Sequence, residues 1–173
     1  DELLAHMADE KNCFSLPPET DDYERFFAER LSEAQNVIHI TMAKHVSQGY
    51  YNALEAAKSF ENVTVLDSGH LSSSMGLVVL YAASMAENHM AKTEIIRTVK
   101  KLQRYISSAF IIDSTHMMCR AGHISKRVQA ICDALLLHPI IMLRNSKMVV
   151  SGVEKGSFPH VARRYIRKVF ANT

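Results

Sequence analysis

Two short stretches of this chain bring hydroxyls, a carboxylate and backbone amides to places where an anion could be held. The first, Ala43-Lys44-His45-Val46-Ser47-Gln48-Gly49, follows one apolar run, and the second, Asp67-Ser68-Gly69-His70, follows another. In open α/β sheets, ligands sit beyond the carboxyl ends of the strands, where the next helix opens with unpaired N–H groups and a positive dipole end. A carboxylate or a phosphate suits such a place. Ser47 also reads as a plain helix cap. Asp67 and Asp113 each close an apolar run, so the two could be paired carboxylates for acid–base work. An Asp there more commonly caps or braces its loop. The sequence holds no Gly-rich phosphate loop, nucleophile elbow or Cys/His pairing at a known spacing, and it therefore leans toward binding rather than catalysis. An enzyme acting on a small anion at the Asp67 and Ser47 loops is the lesser reading. The nine histidines are scattered, and Cys13, Cys119 and Cys132 fit neither zinc spacing nor a disulfide framework, so neither metal nor cofactor is expected.

Strands and helices must alternate to position these loops. Residues 1–12 read as a short helix fragment and residues 13–18 as a loop broken by Pro17-Pro18. Thr20 can then cap a helix with Asp21 and Asp22 in its first turn, and Tyr23, Phe26, Phe27 and Leu31 fall at helical spacing. The run 36–42 is a strand whose near-continuous apolarity calls for cover on both faces, as in a parallel sheet. A helix capped by Ser47 runs to Phe60, and residues 62–66 form a second buried strand. Helices follow from Met75 to about His89 and from Thr93, the latter with an apolar stripe of Ile95, Ile96, Val99, Leu102 and Ile106. Beyond them come a strand at 108–113, a helix at 123–137, a hairpin at 139–152 turning at Asn145-Ser146, and an amphipathic helix at 158–170. The fold class is α/β: a parallel-sheet βαβ lobe, residues 1–106, followed by a smaller α+β lobe with a hairpin, residues 107–173. The first strand appears only after a headless helix and loop, which is the pattern of a middle section or a shortened variant of a larger architecture. An open sheet edge would admit pairing with a second copy, giving a homodimer.

Composition narrows the function classes. With 173 residues the chain can build one full core or two small ones, and its formal charge of +2 gives no basic stripe for nucleic acid. The basic cluster of Arg163, Arg164, Arg167 and Lys168 spreads around the polar side of the last helix and reads as a solvated face. No apolar run is long enough to span a bilayer, and no secretory signal opens the sequence, so a cytoplasmic protein is expected.

In order along the chain, five segments carry a recognisable pattern. They are Asn12-Cys13-Phe14-Ser15-Leu16-Pro17-Pro18; Ile40 to Ala53; Val65-Leu66-Asp67-Ser68 with residues 72–83; Asp113-Ser114 with Ala121-Gly122-His123-Ile124-Ser125-Lys126; and His138-Pro139-Ile140-Ile141 with Lys147-Met148. Taken together they resemble the DegV family of bacterial fatty-acid-binding proteins over nearly the whole chain. The resemblance implies one long-chain fatty acid in an apolar tunnel, its carboxylate held by hydroxyls of the first two segments. Helices 74–89 and 123–137 would wall the tunnel. A partner fatty-acid kinase would phosphorylate the bound acyl group, making this chain a carrier and not itself an enzyme. Ser15, Ser47, Lys44, His45 and His123 are the head-group candidates so implied. Ala43 and Lys44 stand where the family pattern has paired serines, and His123 stands where it has an arginine. Each lost charge-assisted hydrogen bond forfeits about 1.5–3 kcal/mol. A degenerate DegV-like regulatory or interaction module without fatty-acid binding is the alternative.

Overall fold

A computed structural model describes residues 15–120, 122 and 124–171. Helix α1 (Thr20–Glu33) leads into strand β1 (Val37–Thr41), helix α2 (Gly49–Ala56) with a 3-10 turn to Ser59, and strand β2 (Val63–Asp67). Helices α3 (Ser72–Glu87) and α4 (Lys92–Leu102) follow. The two strands pair in parallel, from Val37 opposite Val63 to Thr41 opposite Asp67. Side chains alternate across a strand with a period of two, which explains how these short runs serve two cores. Leu66, Ile38 and Ile40 pack against Val78, Ala82 and Met85 of α3 and Ile95 and Val99 of α4. Val37, Val63 and Val65 face the other way, onto Phe27 of α1 and Ala53 and Ala56 of α2. Cover on both faces is what the near-continuous apolarity of the strands called for.

The second half forms an antiparallel sheet of order β3-β4-β5: β3 (Ala109–Ile111), β4 (Leu137–Arg144) and β5 (Lys147–Lys155). A one-residue register shift at Ile140/Ile141 bends the β4–β5 pair. Asn145 and Ser146 turn the hairpin with φ of +50° and +62°. Two successive left-handed residues make the turn whose twist matches the strands, and Asn tolerates that conformation well. Helix α5 (His116–Arg120) and helix α6 (Lys126–Leu135) lie between β3 and β4, and α7 (Phe158–Ala171) follows β5.

The element boundaries differ from the sequence reading in instructive ways. The cap of α1 is Glu19, whose N–H donates to Asp22 Oδ2 at 3.1 Å, so Thr20 is already helical. Helix α2 starts at Gly49 after Gln48, and Ser47 sits just outside it. Helix α3 begins three residues before Met75, because Ser72 takes a positive φ of 56° that re-aims the chain after the tight turn at Gly69. Leu136 at φ +50° stops α6 early, and the hairpin is longer than its most apolar part. The short helix fragment read at residues 1–12 lies outside the described residues.

His39 of β1 stands in an aromatic cage, its ring 5.3 Å from Tyr23, 6.2 Å from Phe26 and 5.4 Å from Phe27, centroid to centroid. Burial there holds its pKa below the ordinary imidazole value of 6.5. The unfolded chain therefore binds a proton that the folded one refuses. Stability from this source is intact above pH 6.5 and is lost as pH falls toward the folded pKa. The midpoint of thermal unfolding should hold steady above about pH 7 and decline below it. His39→Phe, which keeps a ring in the cage, should flatten that decline; an unchanged slope would move the effect to another group.

Candidate functional site

The loops after β1 and β2 meet at the carboxyl ends of the two strands and are tied together by backbone. Ala43 N–H donates to His70 O at 2.8 Å, and Ser68 N–H donates to Thr41 O at 3.1 Å. Asp67, the last residue of β2, adds a carboxylate at the crossing point. Its Oδ1 accepts from Lys44 N–H at 3.2 Å and Gly69 N–H at 2.8 Å, while its Oδ2 accepts from the Ser146 hydroxyl at 2.7 Å. The Gln103 side-chain amide donates to Asp67 O. Gly69 takes φ +70°, a left-handed turn that lets its N–H reach back to the carboxylate. The strand-end Asp thus braces two loops.

Beside this junction lies a cavity of about 450 Å³. Ser15, Leu16, Pro17 and Pro18 border it on one side, and Val46, Ser47, Gln48, Gly49 and Tyr50 on the other. The end of β1, from His39 to Met42, forms its floor, and Met75 of α3 closes one wall. Ser15 and Ser47, from segments more than thirty residues apart in the chain, therefore line one space. Ser47 Oγ accepts from Gly49 N–H at 3.1 Å, which leaves the Ser47 O–H free to donate into the cavity. Gly49 sits at a close approach between segments. A Cβ there would lie 3.0 Å from Tyr23 Oη and 3.3 Å from Ser47 Oγ.

The other candidates are placed differently. Lys44 is half-buried and His45 is exposed, and neither borders the cavity. His123 lies outside the described residues. Ala43 is fully buried and offers the site no hydroxyl. Among residues that the sequence reading gave no role here, Tyr23 stands out. It lies in the apolar stripe of α1, yet it borders the cavity, and burial pushes its phenol pKa up so that it stays a donor. Nothing in the α1 pattern separates a phenol that points into a cavity from one that packs in a core.

A second, apolar cleft of about 470 Å³ lies over the antiparallel sheet. Phe110 and Ile112, Ile141, and Met148, Val149 and Val150 border it from the strands, with Met118 of α5 and Leu71 at the foot of α3. Leu71 and Met75 are one helical turn apart, so the foot of α3 touches both spaces. Helix α6 does not border the cleft, and its Val128, Ile131 and Leu135 are exposed. Beyond the site, His70 is 3 % exposed, with Nδ1 2.9 Å from Ser108 Oγ just before β3. Burial lowers its pKa against the opposing pull of the Gln103 backbone and the Asp67 charge. Among the described residues no three His, Cys, Asp or Glu side chains are grouped to hold a metal ion, and no helix is long and apolar enough to cross a membrane.

Solved structures share this fold. A DegV family protein from Thermus thermophilus, described for its fatty-acid binding, superposes with a TM-score of 0.80 at 26% identity, covering 96% of this chain and 60% of its own. A Eubacterium eligens DegV family protein loaded with heptadecanoic acid gives 0.76 at 17% identity, covering 99% of this chain and 64% of its own. Among curated relatives, a DegV domain-containing protein of Staphylococcus aureus strain N315 is 21% identical over 172 residues, 99% of this chain and 61% of that protein. One from Caldanaerobacter subterraneus is 27% identical over 154 residues, 88% and 54% respectively. The chain thus spans roughly three-fifths of the length of the relatives it matches. The family model described as "Uncharacterised protein, DegV family" matches residues 1–165, and with parallel and antiparallel sheets that follow the same fold, this chain belongs to the DegV family.

Proposed function

We propose that this chain holds one long-chain fatty acid, its carboxylate in the cavity between Ser15 and Ser47 and its tail in the apolar cleft over the antiparallel sheet. One observation carries the reading: Ser15 and Ser47 border a single cavity whose Met75 wall is one helical turn from Leu71 in the apolar cleft. Polar donors at one end and a greasy slot at the other match the two ends of a fatty acid. The Ser47 hydroxyl and the Tyr23 phenol are the donors for the head group, with the dipole of α2 favouring negative charge. Lys44 contributes longer-range positive charge to the same end, and His45 and His123 are head-group candidates that rest on the family pattern. The Thermus thermophilus relative, described for its fatty-acid binding, supports the ligand class.

Magnitudes place most of the affinity in the tail. Each buried methylene contributes about 0.8 kcal/mol, so ten of them give roughly 8 kcal/mol before the cost of immobilising the ligand. A charge-assisted hydrogen bond at the head contributes about 1.5–3 kcal/mol. The serine-to-alanine change at Ala43 therefore weakens the head-group end without abolishing binding. The role we assign is that of a carrier in the cytoplasm, presenting the acyl group to a fatty-acid kinase, with residues 1–106 and 107–173 as its two lobes and a homodimer as a further form. Ala43 also favours a second reading, a regulatory or interaction module of DegV type that has lost its ligand.

Mass spectrometry of lipid extracted from the purified protein separates the two. A bound acyl acid, or uptake of added oleate or palmitate, is expected; no acyl acid in either experiment would leave the module as the surviving interpretation. Ser47→Ala should raise the Kd for oleate about tenfold, one lost charge-assisted hydrogen bond.

Gly49→Ala gives a sharper check, because it replaces a helix-opening glycine by the best helix former and should not unfold α2. Its methyl group would press on Tyr23 Oη and Ser47 Oγ. Weaker oleate binding with thermal stability retained is expected. Full affinity in this variant would place the carboxylate elsewhere.

A further inference from the structure

The carboxylate of Asp67 reaches parts of the molecule that carry the two ends of the proposed site. Through Lys44 N–H at 3.2 Å it holds the start of the loop that presents Ser47. Through the Ser146 hydroxyl at 2.7 Å it holds the tip of the β4–β5 hairpin, whose Met148, Val149 and Val150 border the apolar cleft. Ser146 is 79 residues further along the chain and 8 % exposed, although it sits in a tight turn, a place that normally faces water. Its burial has no apolar motive. A hydroxyl taken out of solvent needs a partner, and the Asp67 Oδ2 supplies it.

We propose that Asp67 is a positioning residue that couples the head-group loop to the hairpin, so that the two ends of the ligand site keep one register. This rests on the fatty-acid reading for its consequence but not for its geometry. Asp67 touches no ligand position itself, since both oxygens are taken up by Lys44, Gly69 and Ser146. Two flanking ties act in the same place. His70 Nδ1 meets Ser108 Oγ at 2.9 Å at the entry to β3, and the Gln103 side chain donates to Asp67 O at the end of α4. The two-residue turn at Asn145 and Ser146 makes the hairpin tip stiff enough to transmit position. A longer, looser loop would absorb a displacement instead of passing it on. The carboxylate accepts from two backbone amides at Oδ1 and from the Ser146 hydroxyl at Oδ2, and removing it leaves all three donors without this partner.

The test uses the whole chain, with amide hydrogen exchange and oleate titration on the same samples. Ser146→Ala should speed exchange at the Lys44 amide, which Ser146 does not touch, while β1–β2 ladder amides keep their protection. Oleate affinity should fall about threefold to tenfold. Asp67→Ala, which removes all three bonds, should speed exchange at Lys44 and Gly69 together and weaken oleate binding by about tenfold or more. Unchanged exchange at Lys44 in Ser146→Ala overturns the coupling. So does unchanged oleate affinity in both variants while the parent chain binds. Should the parent chain take up no oleate at all, the fatty-acid reading fails, and the exchange measurement still decides the coupling by itself.

Discussion

The architecture turns on a single carboxylate at the end of a strand. Asp67 closes β2, and its side chain gathers one amide from the loop after β1, one from its own turn and a hydroxyl from a hairpin in the other half of the chain. A carboxylate offers about four acceptor sites and no donor, which is why it can organise three donors that cannot satisfy one another. Charge-assisted bonds of this kind are roughly twice as strong as neutral ones, and partial burial shields them from water. The parallel pair β1–β2 supplies only five residues on each strand. Two backbone bonds hold its carboxyl end together, and the carboxylate adds the tie to the hairpin.

The division of labour in the proposed site follows from what each sheet can offer. A parallel pair with helices on both faces buries its side chains and presents loops only at its ends, so polar recognition belongs there. The antiparallel sheet has a face bare enough to leave an apolar cleft, bordered by Phe110, Ile112, Ile141 and three residues of β5. A fatty acid is itself divided in this way. The foot of α3, from Leu71 to Met75, is where the two surfaces come within one helical turn of each other. Ser72 adopts its left-handed conformation at this point, which sets the direction in which α3 leaves the turn.

Much of this was legible in the residues. The strands at 36–42 and 62–66 announced themselves because a doubly covered strand has to be apolar on both faces, and the hairpin turn at Asn145-Ser146 because few residues accept two left-handed positions in a row. Asp67 was readable as a brace, since a strand-end Asp finds backbone amides nearby. That its other oxygen would find Ser146 was not readable, because a contact across 79 residues leaves no periodic trace. Helix starts drifted for a related reason. Ser47 looks like a cap, but its hydroxyl serves Gly49 N–H from one position outside the helix. The convergence of Ser15 and Ser47 came from the family pattern rather than from spacing, and the Tyr23 phenol beside them was hidden in a stripe that also serves the core. His39 and His70 carried no metal-like spacing; the first fills an aromatic cage and the second a hydrogen-bonded joint.

The same accounting bears on catalysis at these loops. A general base must have a free lone pair within reach of the proton it removes. Each oxygen of Asp67 is engaged by a donor, and Asp67 does not border the cavity that Ser47 lines. His70, the nearest imidazole to that carboxylate along the chain, is buried and turns Nδ1 to Ser108, away from the cavity-lining set. Asp113 is exposed beyond the end of β3 and borders neither space. Recruiting Asp67 as a base would mean releasing Lys44, Gly69 or Ser146, and with them the alignment of the cavity. Asp67 and His70 are thus engaged in holding segments in register.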